Sequence, residues 1–206
     1  MVCRYIAAML RVRQLMSDYG GPFDLDLERG ECVAVLGKSG AGKSVLLRLI
    51  ADMDPGAGDV SLDGLDRGRC SGPQWRRRVV YQAAEPAWWA PDAAAHFSAG
   101  DLVAVRSLLP RLGLAPELLE VDIARLSTGE RQRLALVRSL AGRPDVLLLD
   151  EPTASLDGAS TTAVEALLTE RMADGLAVLL VTHSRDQAAR MGRRAFDMVD
   201  GTLHPS

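Results

Sequence analysis

The sequence has few of the features that define membrane, disulfide-bonded or metal-binding proteins. No run approaches the roughly 18 consecutive apolar residues of a membrane-spanning helix, and the longest, Leu176 to Val181, has the length of a strand. The chain is therefore not expected to be a channel or permease. Three cysteines without close spacing favour reduced thiols over a disulfide framework or a zinc site. The first ten residues lack a signal-peptide pattern, and either Met1 or Met9 can be the start.

Positive charge is also scarce. The 206 residues carry 24 Lys and Arg against 27 Asp and Glu, a formal net charge of −3. A broad nucleic-acid-binding surface normally needs an excess of cations. Lysine is scarcer still, since Lys38 and Lys43 are the only two and both lie in one glycine-rich octet. This clustering indicates a site that needs a compact ammonium instead of a planar guanidinium. Chance clustering is the alternative.

Strand patterns alternate with helix patterns along most of the chain. Strands are predicted at Phe23–Leu27, Cys32–Leu36, Val60–Leu62, Val79–Tyr81, Val146–Leu149, Ala177–Thr182 and Ala195–Val199. Helices are predicted around Val45–Ile50, Leu134–Ala141, Thr161–Met172 and Ser184–Met191. Such alternation predicts an α/β fold with a mostly parallel sheet flanked by helices. We expect one domain over 1–206, with a core at 10–85 and 126–206 and a short helical insert at 86–125.

The glycine-rich octet lies between a predicted buried strand and a predicted helix. It fits the phosphate-loop pattern G-x-x-x-x-G-K-[ST], which requires that context. Backbone N–H groups and the helix N-terminus would converge on phosphate oxygens, although an ordinary glycine-rich turn is the alternative. Lys43 would reach the terminal phosphates, and the Ser44 hydroxyl would ligate Mg²⁺. The candidate nucleotide-binding residues here are Gly37, Lys38, Ser39, Gly40, Ala41, Gly42, Lys43, Ser44 and Val45.

Two carboxylates follow a second buried strand. Asp150 and Glu151 come directly after the apolar run that ends at Leu149, at the edge where open α/β sheets bind ligands. Asp150 suits the Mg²⁺ shell, directly or through water, and Glu151 is placed to polarise an attacking water. The alternative is a pair of solvated carboxylates at a loop start, which the phosphate loop argues against.

A third motif narrows the class of phosphate-loop protein. The segment from Leu126 to Arg133 resembles the Leu-Ser-Gly-Gly-Gln signature of ATP-binding cassette (ABC) proteins, with Thr128 and Glu130 in place of the third and fifth residues. Ser127 would cap the helix that begins there. Ser127 and Gly129 would then form an anion site, although a plain capping box uses the same donors.

The resemblance extends along most of the chain. Ser155 to Asp157 is similar to the family's D-loop, and His183, at the end of a strand, to its switch histidine. Tyr19 is the candidate aromatic that stacks on adenine, with a core or turn tyrosine as the alternative. The resemblance implies a P-loop NTPase core with a small antiparallel β region at the N-terminus. It also implies head-to-tail dimers, in which Ser127 and Gly129 of one subunit cover ATP bound at the phosphate loop of the other.

One position departs from the family pattern. The family usually has a glutamine at the end of the strand before the insert, in a frame such as Tyr-Val-Phe-Gln-Glu-Pro. An ungapped alignment on Tyr81, Glu85 and Pro86 places Ala84 at that position, so Gln82 or Glu85 is the candidate replacement. The missing amide predicts less tightly held Mg²⁺ or water and slow basal hydrolysis.

Two adjacent tryptophans occur early in the insert. The resemblance implies that this region forms the cleft that receives a helix of the permease, and aromatic anchors are favoured at such interfaces. Trp88 and Trp89 are therefore candidate permease contacts. The alternatives are that both pack within the insert, or that one ring is inside and the other outside.

The leading interpretation is an ATPase subunit, with ATP and Mg²⁺ as ligands, that powers a separate membrane permease. It would pair with itself or with a second ABC ATPase, and it would attach to the inner face of the cell membrane from the cytoplasm. No nucleic-acid partner is expected. The alternatives are a soluble ABC ATPase in nucleic-acid or ribosome work and a slow or non-hydrolysing nucleotide sensor. The sequence does not specify the transported compound or its direction.

Overall fold

The computed structural model of the protein describes residues 9–206. Met1 and Cys3, on which the expectations about the chain start and the thiol count partly depend, lie outside the described residues. The strands are β1 (Leu10–Ser17), β2 (Gly20–Leu27), β3 (Cys32–Leu36), β4 (Ala57–Leu62), β5 (Leu65–Asp66), β6 (Val79–Gln82), β7 (Val146–Asp150), β8 (Ala177–Val181), β9 (Arg194–Val199) and β10 (Thr202–Pro205). The α-helices are α1 (Lys43–Ile50), α2 (Gly72–Arg78), α3 (Leu102–Leu108), α4 (Thr128–Ala141), α5 (Gly158–Ala173) and α6 (Arg185–Met191).

Within residues 9–206 the strands form two sheets. The larger has the order β10-β9-β3-β8-β7-β6, in which all neighbours run parallel except β10, which pairs antiparallel with β9. The smaller, from the N-terminal part, is antiparallel with the order β2-β1-β4-β5. The expected fold class, a mostly parallel sheet flanked by helices with a small antiparallel β region, is therefore confirmed.

Alternate residues of the central strands enter two hydrophobic clusters on opposite faces of the larger sheet. Val146 and Leu148 of β7 pack with α1 and the small antiparallel sheet. Leu147 and Leu149 pack with α3, α4 and α5. Because successive side chains of a strand alternate between faces, a strand covered on both sides must be apolar throughout. This explains the continuous apolar runs that predicted these strands.

The segment 86–125 contains less regular helix than expected of the predicted helical insert. α3 ends at Leu108, and the other helical stretches are short 3-10 turns at Ala94–His96, Pro110–Leu112, Pro116–Glu120 and Ile123–Arg125. Pro110 lacks the backbone N–H that would continue a helix. Val105 and Leu108 are buried in the cluster that also contains α4. The segment therefore covers the face of the sheet opposite α1.

Four elements, β1, β5, α2 and β10, have no counterpart among the predicted segments. α2 begins within a Ser-Gly-Pro sequence that is typical of a turn, and it is fixed by Trp75, whose Nε1 donates to the carbonyl oxygen of Ile50 at 2.8 Å. β10 follows a turn in which Asp200 and Gly201 both have positive φ, the geometry of a tight hairpin. The predicted strand at Ala195–Val199 is present as β9, but the prediction that it is the last strand is wrong, because β10 follows it.

The described residues also bear on the features that the sequence lacks. No helix within residues 9–206 combines the length and hydrophobicity needed to cross a membrane. Cys32 and Cys70 are free thiols. Burial raises the pKa of the Cys32 thiol to about 12, so this side chain behaves as a small apolar residue of β3.

Candidate functional site

The glycine-rich loop joins the end of β3 to the start of α1. Gly37 has a φ of 151° and Gly42 a φ of 102°, conformations that residues with side chains rarely adopt. A Cβ on Gly37 would lie 2.6 Å from the carbonyl oxygen of Met198. These two glycines therefore allow the backbone to curl tightly between strand and helix.

The ammonium of Lys43 lies inside this loop. The residue is 7% exposed, and its Nζ donates to the carbonyl oxygens of Gly37 and Lys38, each at 2.8 Å. The Lys38 residue itself is exposed. The two lysines that stand out in the sequence are thus placed differently: the loop encloses the charge of one, and solvent surrounds the other.

The first turn of α1 offers backbone donors at the mouth of the loop. Its N-cap is Gly42, and no side chain among the described residues caps the turn. Uncapped N–H groups and the positive end of the helix dipole favour an anion. Ser44 follows Lys43 and is partly exposed, whereas Val45 packs against the hydrophobic cluster below.

Asp150 ends β7 and is 5% exposed. Its Oδ2 accepts a hydrogen bond from the Tyr81 hydroxyl at 3.1 Å. Burial, together with the charge of Asp150, raises the pKa of Tyr81, so this phenol stays protonated and remains a donor at neutral pH. Tyr81 was not among the candidate site residues, because the pairing of β6 with β7 that brings it to Asp150 is not visible in the sequence.

Glu151 leaves β7 in a left-handed backbone conformation, with a φ of 47°, which is uncommon for a residue with a side chain. Its backbone N–H donates to the carbonyl oxygen of Val181 at 3.0 Å, which ties it to the end of β8. Its Oε2 lies 3.1 Å from Nδ1 of His183. Because a carboxylate only accepts, Nδ1 carries the proton of this hydrogen bond. The His183 side chain is 67% exposed and that of Glu151 29%.

The parallel topology explains why these distant segments meet. β3, β8 and β7 are neighbours in the sheet, and their carboxyl ends lead into the phosphate loop, the segment with His183, and Glu151, respectively. Carboxyl ends of parallel strands lie at one edge, where α/β proteins bind ligands. The phosphate loop, both carboxylates and His183 therefore lie at one edge of the sheet.

A cavity of about 200 Å³ adjoins this edge and is lined by Glu151, Thr153, Thr182, His183 and Gln187, among others. A larger cavity, about 840 Å³, lies between α3 and the segments that precede β7 and β8. It is at the opposite edge of the sheet and contains none of the candidate site residues. Chemistry, and not cavity size, therefore identifies the candidate site.

The end of β6 corrects one reading of the sequence. β6 ends at Gln82, which pairs with Leu149 at the end of β7, whereas Ala84 and Glu85 lie beyond the strand and are exposed. The strand therefore does end on a glutamine. Gln82, one of the two candidate replacements, therefore occupies the strand end where Ala84 was expected, and Ala84 lies two residues beyond it. Gln82 is 4% exposed, and neither side-chain amide atom has a partner among the described residues.

Tyr19 lies in the turn between β1 and β2 and is 81% exposed, so it is not a core tyrosine. Its backbone approaches the phosphate loop, since a Cβ on Gly42 would lie 3.9 Å from the Tyr19 carbonyl oxygen. An exposed aromatic ring next to a phosphate-binding loop offers a stacking surface for a planar base.

Ser127 caps α4 in a reciprocal capping box. Its hydroxyl accepts from the N–H of Glu130 at 3.2 Å, and the Glu130 carboxylate accepts from the N–H of Ser127 at 2.8 Å. Hydrogen bonds from Ser127 lower the pKa of Glu130. In the described part of the chain, no hydrogen bond joins Ser127 or Gly129 to the phosphate loop. The structure therefore does not unite the signature segment with the loop of the same chain.

Asp157 lies beside the signature segment instead. It caps α5, accepting from the N–H of Ser160 at 2.7 Å, and this backbone hydrogen bond lowers the pKa of Asp157. Arg133 of α4 contacts the Ser160 hydroxyl. A Cβ on Gly129 would lie 3.4 Å from Leu156. The signature and D-loop segments thus form one exposed surface, which Arg133 helps to hold together.

The two tryptophans of the insert differ in burial. Trp88 packs partly buried on the cluster around α4, whereas Trp89 is 73% exposed. The His96 ring meets both edge-on, at centroid distances of 4.9 and 4.4 Å. Arg138 of α4 lies over both rings, 4.5 and 5.1 Å from their centroids. An otherwise exposed ring is therefore held in a fixed orientation.

The donors at the phosphate loop suit a hard cation. No cluster of three or more His, Cys, Asp or Glu side chains within residues 9–206 is arranged to hold a metal ion. Ser44 and Asp150 instead offer a hydroxyl and a carboxylate. Mg²⁺ binds through one or two such oxygens and completes its shell with water and substrate phosphates. The donor set therefore fits magnesium bound together with a nucleotide.

Comparison with known proteins agrees with the geometry. Residues 21–154 match the model of the ABC transporter family. The chain is 38% identical, over 205 residues, to the aliphatic sulfonates import ATP-binding protein SsuB 2 of Nocardia farcinica, covering 95% of this chain and 82% of that protein. It is 38% identical, over 197 residues, to the lipoprotein-releasing system ATP-binding protein LolD of Shewanella frigidimarina, covering 87% and 82%.

Solved structures share the fold. An ATP binding subunit of an ABC transporter superimposes with a TM-score of 0.86 at 24% identity, covering 96% of this chain and 89% of that one. A dimeric, post-hydrolysis state of an ATP-binding cassette bound to ADP and Pi superimposes with a TM-score of 0.83 at 23% identity, covering 96% and 98%.

Proposed function

The chain belongs to the ABC transporter family, and we propose that it is an ATP-binding and ATP-hydrolysing subunit that energises a separate membrane permease. The observation that carries the proposal is the meeting of the phosphate loop, Asp150, Glu151 and His183 at one edge of the parallel sheet. This arrangement combines an anion cradle with a candidate base, which is what transfer of a phosphoryl group to water needs.

The nucleotide would lie between the phosphate loop and Tyr19. Backbone N–H groups of the loop and the first turn of α1 would donate to phosphate oxygens. Lys43, already enclosed by the loop, would exchange its contacts with backbone carbonyls for the terminal phosphates. Tyr19 is exposed beside the loop and would stack on the adenine.

Ser44 and Asp150 would hold Mg²⁺, which when bound supplies neutralisation of phosphate charge. Glu151 would accept the proton of the attacking water, and its 3.1 Å contact with His183 would keep the carboxylate in one orientation. Gln82, buried at the end of the neighbouring strand with an unpartnered amide, adds a polar group close to this edge. A slow or non-hydrolysing cassette is not favoured, because the strand before the insert ends on this buried glutamine.

The second half of the site would come from another subunit. Ser127, Gly129 and Asp157 form a surface away from the phosphate loop of their own chain. In a head-to-tail pair, with a second copy or a second cassette, this surface would face the γ-phosphate bound to the other subunit. Each nucleotide would then be enclosed between two chains.

The insert, proposed as residues 86–125 between core segments 10–85 and 126–206, would meet the permease. The supporting observation is Trp89, which is 73% exposed yet held by His96 and Arg138, as expected of an interface anchor. The protein would thus bind the inner face of the membrane from the cytoplasm. The names of the relatives refer to sulfonate import and lipoprotein release, two different cargoes, so the permease would select the transported compound.

Glu151→Gln tests the proposed hydrolysis. An amide cannot accept the proton of water, so ATP turnover should fall about 10²–10⁴-fold, while equilibrium binding of ATP stays close to the wild-type value. Phosphate release and nucleotide affinity are the measurements. Glu170→Gln, on the exposed surface of α5 where Glu170 pairs with Arg111, is the matched control and should keep wild-type turnover. Equal turnover of Glu151→Gln and wild type would contradict the proposal.

A further inference from the structure

Tyr81 reaches the edge of the sheet from the strand beside β7. In the register of β6 with β7, Tyr81 pairs with Leu148, two residues before Asp150 and therefore on the same face. Its hydroxyl donates to Oδ2 of Asp150 at 3.1 Å. A diagonal neighbour on the adjacent strand thus presents a polar group to the proposed magnesium ligand.

Arg48 of α1 lies near the Tyr81 hydroxyl, and its positive charge opposes the rise in the pKa of Tyr81 that burial and Asp150 cause. Arg48 is fixed in turn by Asp54, whose Oδ2 accepts from Nε at 2.7 Å. A line of polar groups therefore runs from Asp54 near the end of α1, through Arg48 and Tyr81, to Asp150.

Because of this hydrogen bond, the two oxygens of the Asp150 carboxylate have different contacts. Oδ2 accepts from Tyr81, while Oδ1 makes no hydrogen bond with any side chain in the described part of the protein. A carboxylate with one oxygen fixed has little freedom to rotate, so the other oxygen keeps one direction. Hydrogen bonds of this kind to metal ligands commonly tune metal affinity.

We propose that Tyr81 is a positioning residue that orients Asp150 for Mg²⁺ by fixing one carboxylate oxygen with its hydroxyl. The inference rests on the proposed function, since it takes Asp150 as a magnesium ligand. Packing alone does not account for the hydroxyl, because the ring of a phenylalanine would fill the same place in the hydrophobic cluster.

Tyr81→Phe removes the hydroxyl and keeps the ring. The probe is Mn²⁺, titrated by electron paramagnetic resonance into the protein saturated with ADP. The variant should bind Mn²⁺ about tenfold more weakly, and half-maximal ATP turnover should need a correspondingly higher Mg²⁺ concentration. ADP affinity in EDTA should stay close to wild type, because it does not depend on the orientation of a metal-free carboxylate.

Val80→Ala is the matched control. Val80 lies on the same strand but packs in the cluster on the other face of the sheet, so this substitution loosens β6 without touching Asp150. Its Mn²⁺ affinity should equal that of the wild type. If Val80→Ala and Tyr81→Phe weaken Mn²⁺ binding equally, the hydroxyl has no specific role and the inference is overturned.

Asp150→Asn distinguishes failure of this inference about Tyr81 from failure of the proposed function. If Asp150→Asn weakens Mn²⁺ binding while Tyr81→Phe does not, the positioning role fails and the proposed function stands. If Asp150→Asn leaves Mn²⁺ binding unchanged, Asp150 is not a metal ligand, and both that part of the proposed function and the inference fail.

Discussion

The two helix N-termini of the candidate site are built in opposite ways. α1 starts after Gly42 without a side-chain cap, so its first N–H groups are available to an anion. α4 starts after Ser127, whose hydroxyl and N–H are both engaged with Glu130. The N–H groups at the start of α1 can therefore bind a phosphate without displacing a side chain. At the start of α4, a phosphate must compete with an ionised carboxylate for the same donors.

The two termini also belong to different faces of the sheet. α1 packs with Val146 and Leu148, whereas α4 packs with Leu147 and Leu149. A single chain therefore presents the phosphate loop complete with its carboxylates and histidine, and carries the signature surface elsewhere. Under the proposed head-to-tail pairing, one half of the site would be assembled by folding and the other half by association.

The largest expected effect falls on the half assembled by folding. Lys43→Met removes the enclosed ammonium and keeps much of the side-chain volume, and ATP turnover should fall about 10²–10³-fold because a fixed charge donor to the phosphates is lost. Steady-state phosphate release is the measurement. Lys38→Met is the matched comparison, since it removes the exposed lysine of the same loop and should cause a much smaller loss. A larger loss in Lys38→Met would reverse the roles assigned to the two lysines.

Gly129→Asp tests the half assembled by association. A carboxylate there should repel the γ-phosphate of the partner subunit, yet α4 should still form, because Asp is favourable in a first helical turn. Lys43→Met and Gly129→Asp should each be nearly inactive alone, whereas a mixture of the two should regain turnover. Hybrid pairs would contain one site with both defects and one intact site.

Gly142→Asp, at the other end of α4 where a Cβ meets nothing within 4 Å, is the control and should keep its own activity. A mixture of Lys43→Met and Gly129→Asp that stays inactive, under conditions where the chains exchange, would place the signature surface outside the nucleotide site.

The smallest loss of nucleotide affinity is expected from substitution of Tyr19, which lies in an exposed turn beside the phosphate loop. Tyr19→Ala should weaken ATP binding by about 1–3 kcal/mol, the usual contribution of stacking on a base, which is roughly 5- to 150-fold in Kd. Tyr19→Trp should restore the affinity, because it keeps an aromatic face. Titration calorimetry with ATP and with inorganic triphosphate distinguishes loss of stacking from loss of phosphate binding. Loss of stacking alone should leave triphosphate binding unchanged.

The parts of the site that depend on local chemistry were predictable. Glycines at positions of positive φ and a lysine beside them identify the loop from sequence alone. Asp150 and Glu151 were found because a strand buried on both faces is apolar until it ends. Ser127 was found because a helix cap has its own short pattern.

The parts that depend on pairing between strands were not predictable. Tyr81 meets Asp150 only through the register of β6 with β7. The same register shows Gln82, and not Ala84, at the strand end. The division of Trp88 and Trp89 between inside and outside was left open by the sequence, because it depends on His96 and Arg138, which lie 7 or more residues away along the chain.

The sequence by itself determined the phosphate cradle, most of the strands and helices, and the residue types that carry the chemistry, since each follows from steric and polar constraints within a few neighbouring residues. Tertiary structure decided which of those residues meet: Glu151 with His183, Tyr81 with Asp150, and the signature surface apart from the loop. Contacts between distant segments are set by sheet order and strand register, and these are properties of the whole packed chain.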